Sequence, residues 1–207
     1  MELVPTDDDW AIAGHTFERF ASRPGAKHIA TEFALAHLSA LLRTMRPDSV
    51  LEFGAGIGTI THMLLVHPHG PRRVTSTEDH PFCLEQLEAN IPRELRDRLE
   101  LVTTLAGPER IVGDFELVIF DGEFSDPAGF RFINSGTVCF IEGARRPTRR
   151  ALDEVLGARE LACHFENYNL GTKPLALVWR KSATMGIPYP KLKRNKVIKG
   201  CWVGEVR

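Results

Sequence analysis

Three glycines stand at alternate positions, Gly54, Gly56 and Gly58, within the stretch VLEFGAGIGTITHML, Val50 to Leu64. Glycine reaches positive φ and lets a ligand come close to the backbone. Thr59 to Val66 reads as a helix opening directly off the loop, so its free N-terminal amides and positive dipole end would face whatever the loop holds. The spacing is G-x-G-x-G, which departs from the G-x-G-x-x-G fingerprint of a dinucleotide site, and no Gly-Lys-Ser/Thr makes it a phosphate loop. Glu78 lies 24 residues beyond Gly54. A carboxylate at that place accepts hydrogen bonds from the two hydroxyls of a ribose.

Further acids collect around the same rim. Glu52 precedes the loop, Asp79 and His80 follow Glu78, and Asp121, Glu123 and Glu142 close two later apolar runs. So many carboxylates would repel a pyrophosphate and suit a ligand that carries positive charge beside its ribose. Where a proton has to be removed from a substrate, Asp121 is the first candidate for the base, with Glu142, His80 and Glu123 behind it. Arg145, Arg146, Arg149 and Arg150 also fall beside this rim and read as the solvated start of a helix, with an anionic substrate group as the other reading.

The elements that position these residues alternate. Residues 6–22 predict a helix broken by Arg23-Pro24-Gly25, and Ala26 to Met45 predicts an amphipathic helix with Leu35, Leu38, Leu42 and Met45 on one face. Strands are expected at Val50 to Phe53, Arg73 to Thr77, Leu99 to Thr103, Phe115 to Gly122 and Thr137 to Gly143. A helix capped by Asp79 carries Leu84, Leu87 and Ile91, and another starts at Thr148. LACHFENY and LALVWR leave no room for a crossover helix and should form an antiparallel hairpin. The expectation is an α/β, Rossmann-like, doubly wound sheet of seven strands, mostly parallel with one antiparallel edge strand. Residues 1–47 would be N-terminal helices on the substrate side, 48–181 the ligand-binding core and 182–207 a basic C-terminal tail.

VLEFGAGIG resembles motif I of the class I S-adenosylmethionine-dependent methyltransferases, VTSTED is similar to their acidic ribose-binding turn, and FELVIFDGEF resembles their fourth-strand motif. The resemblance covers about residues 35–181. It implies S-adenosylmethionine as cofactor, whose ammonium and sulfonium suit the acidic rim. It places Glu52 and Gly54 near the methionine amino group, with Ala55, Gly56 and Gly58 under the cofactor. Glu78 would hold the ribose, with Asp79 and the segment around Thr104 by the adenine. Asp121 would face both cofactor and acceptor. The Asp121-Gly122 ending resembles small-molecule and sugar O-methyltransferases, so the expected reaction is O-methylation of a small acceptor by in-line transfer. In the catechol type a metal is bound at this Asp; strand five here ends Glu142-Gly143, so no metal is expected, and Asp121 and Glu142 would be its ligands if one were bound.

Composition bounds the rest. With 207 residues and a net charge of -1, one domain is expected and global charge selects no partner. Residues 181–207 nevertheless hold seven basic residues against one acid. That tail is the feature favouring an RNA or protein methyltransferase over the small-molecule reading, although a nucleic-acid partner is not the expectation. The same fold would also serve an NAD-linked oxidoreductase or a non-catalytic cofactor-binding subunit. The four cysteines form no C-x-x-C pair, and MELVPTDDDW has no basic or apolar leader, so a cytoplasmic protein is expected, without a membrane partner. GCWVG near the end suggests an ordered tail, and a homodimer would use that tail or the N-terminal helices.

Overall fold

The computed structural model describes residues 4–103, 111, 113–122, 130, 132–134, 136–143, 147, 148 and 151, together with the backbone of strands at 161–168, 175–180 and 199–206. Helix α1, Asp7–Ala21, starts at a reciprocal cap in which Thr6 and Asp9 bond each other's backbone amides. After a single 3-10 turn, Ala26–His28, helix α2 runs over Glu32–Met45 behind an N-cap Thr31. α2 differs from the amphipathic helix expected: every residue from Phe33 to Leu42 is buried. α1 covers its outer side, so a helix that would face water on an open sheet is enclosed instead.

The chain then alternates through β1 (Ser49–Phe53), α3 (Thr59–Val66), β2 (Arg73–Thr77), α4 (Pro81–Asn90) and β3 (Leu99–Val102). β4 (Leu117–Phe120), β5 (Val138–Glu142), β6 (Leu161–Tyr168), β7 (Leu175–Arg180) and β8 (Lys199–Val206) follow. They form one sheet in the order β3-β2-β1-β4-β5-β8-β6-β7. The first five strands pair in parallel. β8 is antiparallel to both β5 and β6, and β7 is antiparallel to β6.

The sheet therefore has eight strands where seven were expected, and four of them, β5, β8, β6 and β7, take part in antiparallel pairing. The addition is the GCWVG segment. Two glycines make it a weak strand by propensity. It is a strand because it sits between two others: Cys201, Trp202 and Val203 register with Glu142, Ile141 and Phe140 on one side and with Glu166, Phe165 and His164 on the other. A ladder on both flanks outweighs local preference.

Alternation along the parallel strands supplies two apolar faces. Val50, Val74, Leu117, Ile119 and Phe140 join the cluster built with α2 and α3. Leu51, Phe53, Val118, Phe120 and Ile141 pack on the opposite face with Phe130, Phe132 and Ile133. Burying a leucine such as Leu35, Leu38, Leu41 or Leu42, each fully enclosed, contributes about 2 kcal/mol. No helix of the described residues is long and apolar enough to cross a membrane.

A polar seam joins the N-terminal helices to the sheet layer. Asp9, buried on α1, accepts hydrogen bonds from Ser39 Oγ on α2 at 2.7 Å and from Arg43 Nη2 at 2.9 Å. His67, just past α3, has its Nδ1 occupied by the His69 amide at 3.0 Å, so its Nε2–H donates to Ser39 Oγ at 3.0 Å. Burial would raise the Asp9 carboxyl, but Arg43, the Thr6 amide and Ser39 outweigh it and bring it down to about 2.

Candidate functional site

β1 delivers the chain into the glycine loop between the ends of β2 and β4. The amides of Gly54 and Ala55 donate to the Thr77 carbonyl of β2 at 3.1 and 2.9 Å. From the other side, the amides of Asp121 and Gly122 donate to the Phe53 carbonyl at 2.9 and 3.1 Å. Gly54 has φ +84°, and a Cβ built on it would lie 2.8 Å from Gly122 N and 3.0 Å from its Cα. The loop is thus pressed against the turn after β4, and the contact requires a glycine at position 54. Gly56, at φ +56°, is the opposite case: a Cβ there would meet nothing within 4 Å. That side of the loop is open to a ligand.

Above the loop lies a cleft of about 300 Å³. Its floor is Ala55, Gly56, Ile57 and Thr59, one wall is His80, Phe82 and Cys83, the other is Gly25, His28 and Ile29, and Asp121 closes it. Phe82 is 40% exposed, an unusual position for so large an apolar ring. Thr59 is buried at the start of α3, and its Oγ1 has no hydrogen-bond partner among the described residues.

Glu78 fastens the rim. Its Oε2 accepts from the Gly56 amide at 2.7 Å, and its Oε1 accepts from the amides of Asp79 and His80 at 3.0 and 2.9 Å. The cap expected from Asp79 is replaced by this arrangement: His80 is the N-cap residue of α4, with no side-chain capping bond, and Pro81 opens the helix. Asp79 and His80 both stand exposed.

Glu52 lies under the floor rather than on the cleft wall. It is fully buried, and Oε2 accepts from Thr61 Oγ1 at 2.6 Å and Ser76 Oγ at 2.5 Å. Oε1 has no hydrogen-bond partner among the described residues. Burial pushes the carboxyl up to about 7, the two hydroxyls pull against it, and the Glu78 charge pushes the same way as burial.

Of the residues read as the site, Gly54, Ala55, Gly56, Gly58, Glu78, His80 and Asp121 come together at the cleft or its loop. Glu142 ends the strand next to β4 and is 8% exposed, off the cleft lining. Thr104, Glu123 and the four arginines at 145–150 lie outside the described residues. Among the described residues no three His, Cys, Asp or Glu side chains gather to hold a metal ion. The sequence reading missed Gly25, His28, Ile29, Phe82, Cys83 and Thr59 as lining. The Arg23-Pro24-Gly25 break was the one signal for the first three, since a turn placed there brings the following residues back over the loop.

Two buried histidines set the acid response. Burial pushes both His62 and His67 down to about 4, with Arg19 and His15 adding to the first and His69 to the second. Each is neutral in the fold and gains its proton on unfolding, so its contribution is full above about pH 6.5 and is lost as pH falls toward about 4. Glu52, raised, acts in the reverse sense between about pH 4.5 and 7 and offsets one of the two. Net stability of the free protein should therefore fall from about pH 6.5 to 5. Urea unfolding at those two pH values checks it, and a His62→Phe, His67→Gln double variant should invert the slope.

No protein-family model matches the chain, and no curated protein matches it. Solved structures do. An O-methyltransferase from Bacillus cereus in complex with SAH is 17% identical, with 99% of this chain and 93% of that one covered and a TM-score of 0.60. The O-methyltransferase TomG from Streptomyces achromogenes, in complex with SAM, is 16% identical, with 99% and 92% covered and a TM-score of 0.53. A precorrin-6y C5,15-methyltransferase from Geobacter metallireducens GS-15 is 17% identical, with 88% and 93% covered and a TM-score of 0.56. The chain shares the fold of these proteins over nearly its whole length.

Proposed function

We propose that the protein is an S-adenosylmethionine-dependent methyltransferase that methylates an oxygen of a small-molecule acceptor. The observation that carries this reading is Glu78, held by the Gly56 amide across an open loop. An acid that can meet a ribose thereby stands beside a backbone that admits close approach. The residues fit the cofactor in three further ways: Thr59 offers an unengaged hydroxyl, Phe82 and Ile57 offer apolar walls, and the acids favour a cationic ligand. The SAH and SAM complexes of fold neighbours support the same choice.

When bound, the cofactor supplies a methyl group activated on its sulfonium. The protein's own part is alignment and exclusion of water. Glu78 fixes the ribose, Ala55 and Gly56 let the ligand settle on the backbone, and Phe82, Ile57 and Ile29 keep the cleft dry. Asp121, on the cleft wall, takes the acceptor's proton, with His80 the nearest substitute and Glu142 set further back. Residues 1–47 serve as the substrate-side cap, a reading supported by Gly25, His28 and Ile29 on the cleft wall. Cys83, on the cleft wall, is a free thiol, which supports a cytoplasmic setting.

Calorimetry separates this reading from an NAD-linked one: heat is expected with S-adenosylmethionine and none with NAD. Glu78→Ala should weaken S-adenosylmethionine binding by about 3 kcal/mol, the lower end for two hydrogen bonds to a charged group at about 1.5–3 kcal/mol each. Unchanged affinity would remove the ribose assignment.

A further inference from the structure

Glu52 is the ionisable side chain at the loop that faces no ligand directly. It sits one layer below the cleft: its partner Thr61 is two residues past the cleft-lining Thr59, and its partner Ser76 is two residues before Glu78. Both hydroxyls converge on Oε2, and Oε1 has no partner among the described residues. A fully buried carboxylate with half its acceptor sites unfilled is far costlier than the neutral acid. Around it, β4 contributes Ile119 in register, α3 contributes Thr61, and β2 contributes Ser76. The charged group that acts on it is the Glu78 carboxylate at the end of β2, whose negative charge also favours the neutral form.

We propose that Glu52 is neutral in the free protein and releases its proton to solvent when a cationic ligand enters the cleft, so that cofactor capture is coupled to proton release. The coupling rests on the methyl-donor reading above. A positive charge within a few ångströms lowers a carboxyl pKa by about 1–3 pH units. Starting from about 7, Glu52 then becomes ionised at neutral pH. S-adenosylhomocysteine lacks the sulfonium charge and releases less of the proton. Preference for donor over product therefore grows as pH rises, and Thr61 and Ser76 are positioning residues that hold the acid in register with the cleft.

The test is calorimetry of the full chain with S-adenosylmethionine, in buffers of different ionisation enthalpy, between about pH 6 and 7.5. Wild type should release most of one proton at about pH 6, and its Kd should rise up to about tenfold per pH unit as pH falls from 7. Glu52→Gln should release none, with a flat Kd. Wild-type binding indifferent to pH, or full release persisting in Glu52→Gln, overturns the coupling alone. Failure of S-adenosylmethionine to bind at any pH overturns the methyl-donor reading and the coupling with it. Should Glu52→Gln not fold, carboxyl-carbon NMR of glutamate-labelled wild type decides. One glutamate titrating near 7 supports the proposal, and all of them completing their titration below about pH 5.5 overturns it.

Discussion

Gly54→Ala is expected to destabilise the fold by about 3–5 kcal/mol, the sum of a side chain forced into positive φ and a methyl group driven into a packed contact. The contact is backbone, Gly122 N at 2.8 Å, so no flexible side chain can move aside. Relief would require β1 and β4 to part where the Phe53 carbonyl holds two amides of the next turn. Urea unfolding measures the loss, and cofactor binding should vanish with it. Gly56→Ala is the control. Its φ of +56° costs about 1 kcal/mol, and its methyl enters open space. It should fold nearly as well as wild type and yet bind S-adenosylmethionine at least tenfold more weakly, because the methyl stands where the ligand must lie. A Gly54→Ala protein as stable as wild type would mean that the two turns are not in contact.

Asp9→Ala should cost about 3 kcal/mol, the lower part of the range for removing one partner of a buried ion pair, since Arg43 keeps 39% of its side chain in water. The change also removes the acid that caps α1 and leaves Ser39, fully buried, without its acceptor. The acid limb carries a matching signature. Asp9 has its carboxyl lowered from 3.8 to about 2, so its contribution is full above about pH 4 and is lost as pH falls through that interval. A denaturation series in wild type and Asp9→Ala should converge toward about pH 2. Parallel curves would refute the pairing.

The central unit was legible because its punctuation is local. Thr59–Val66 and Arg73–Thr77 have the bounds the sequence predicts, for glycines and prolines fence them on both sides. What escaped prediction depends on residues far apart in the chain. Nothing near Gly25 says that it will lie against Ile57 and Phe82, where a Cβ would be 2.8 and 3.0 Å away. Glu78 was read as an acid for a hydroxyl-bearing ligand. That both its oxygens already hold backbone amides follows from how β2 ends beside the loop, a matter of three-dimensional placement. Glu52 was read as an acid near the cofactor's amino group; in the fold it is buried beneath the cleft floor, because alternation along β1 turns it to the face packed by α3.

The position of β8 sets an order on how the sheet is made. β6 and β7 leave the ribosome before β8, yet β6 touches β5 only through it. Until β8 arrives, the finished half of the sheet presents the open edge of β5, and the β6–β7 hairpin has nowhere to join. Assembly must close with the strand synthesised last of the eight, bridging partners from distant parts of the chain. Long-range closure of this kind slows folding, and the waiting edge is the point at which two nascent chains would adhere.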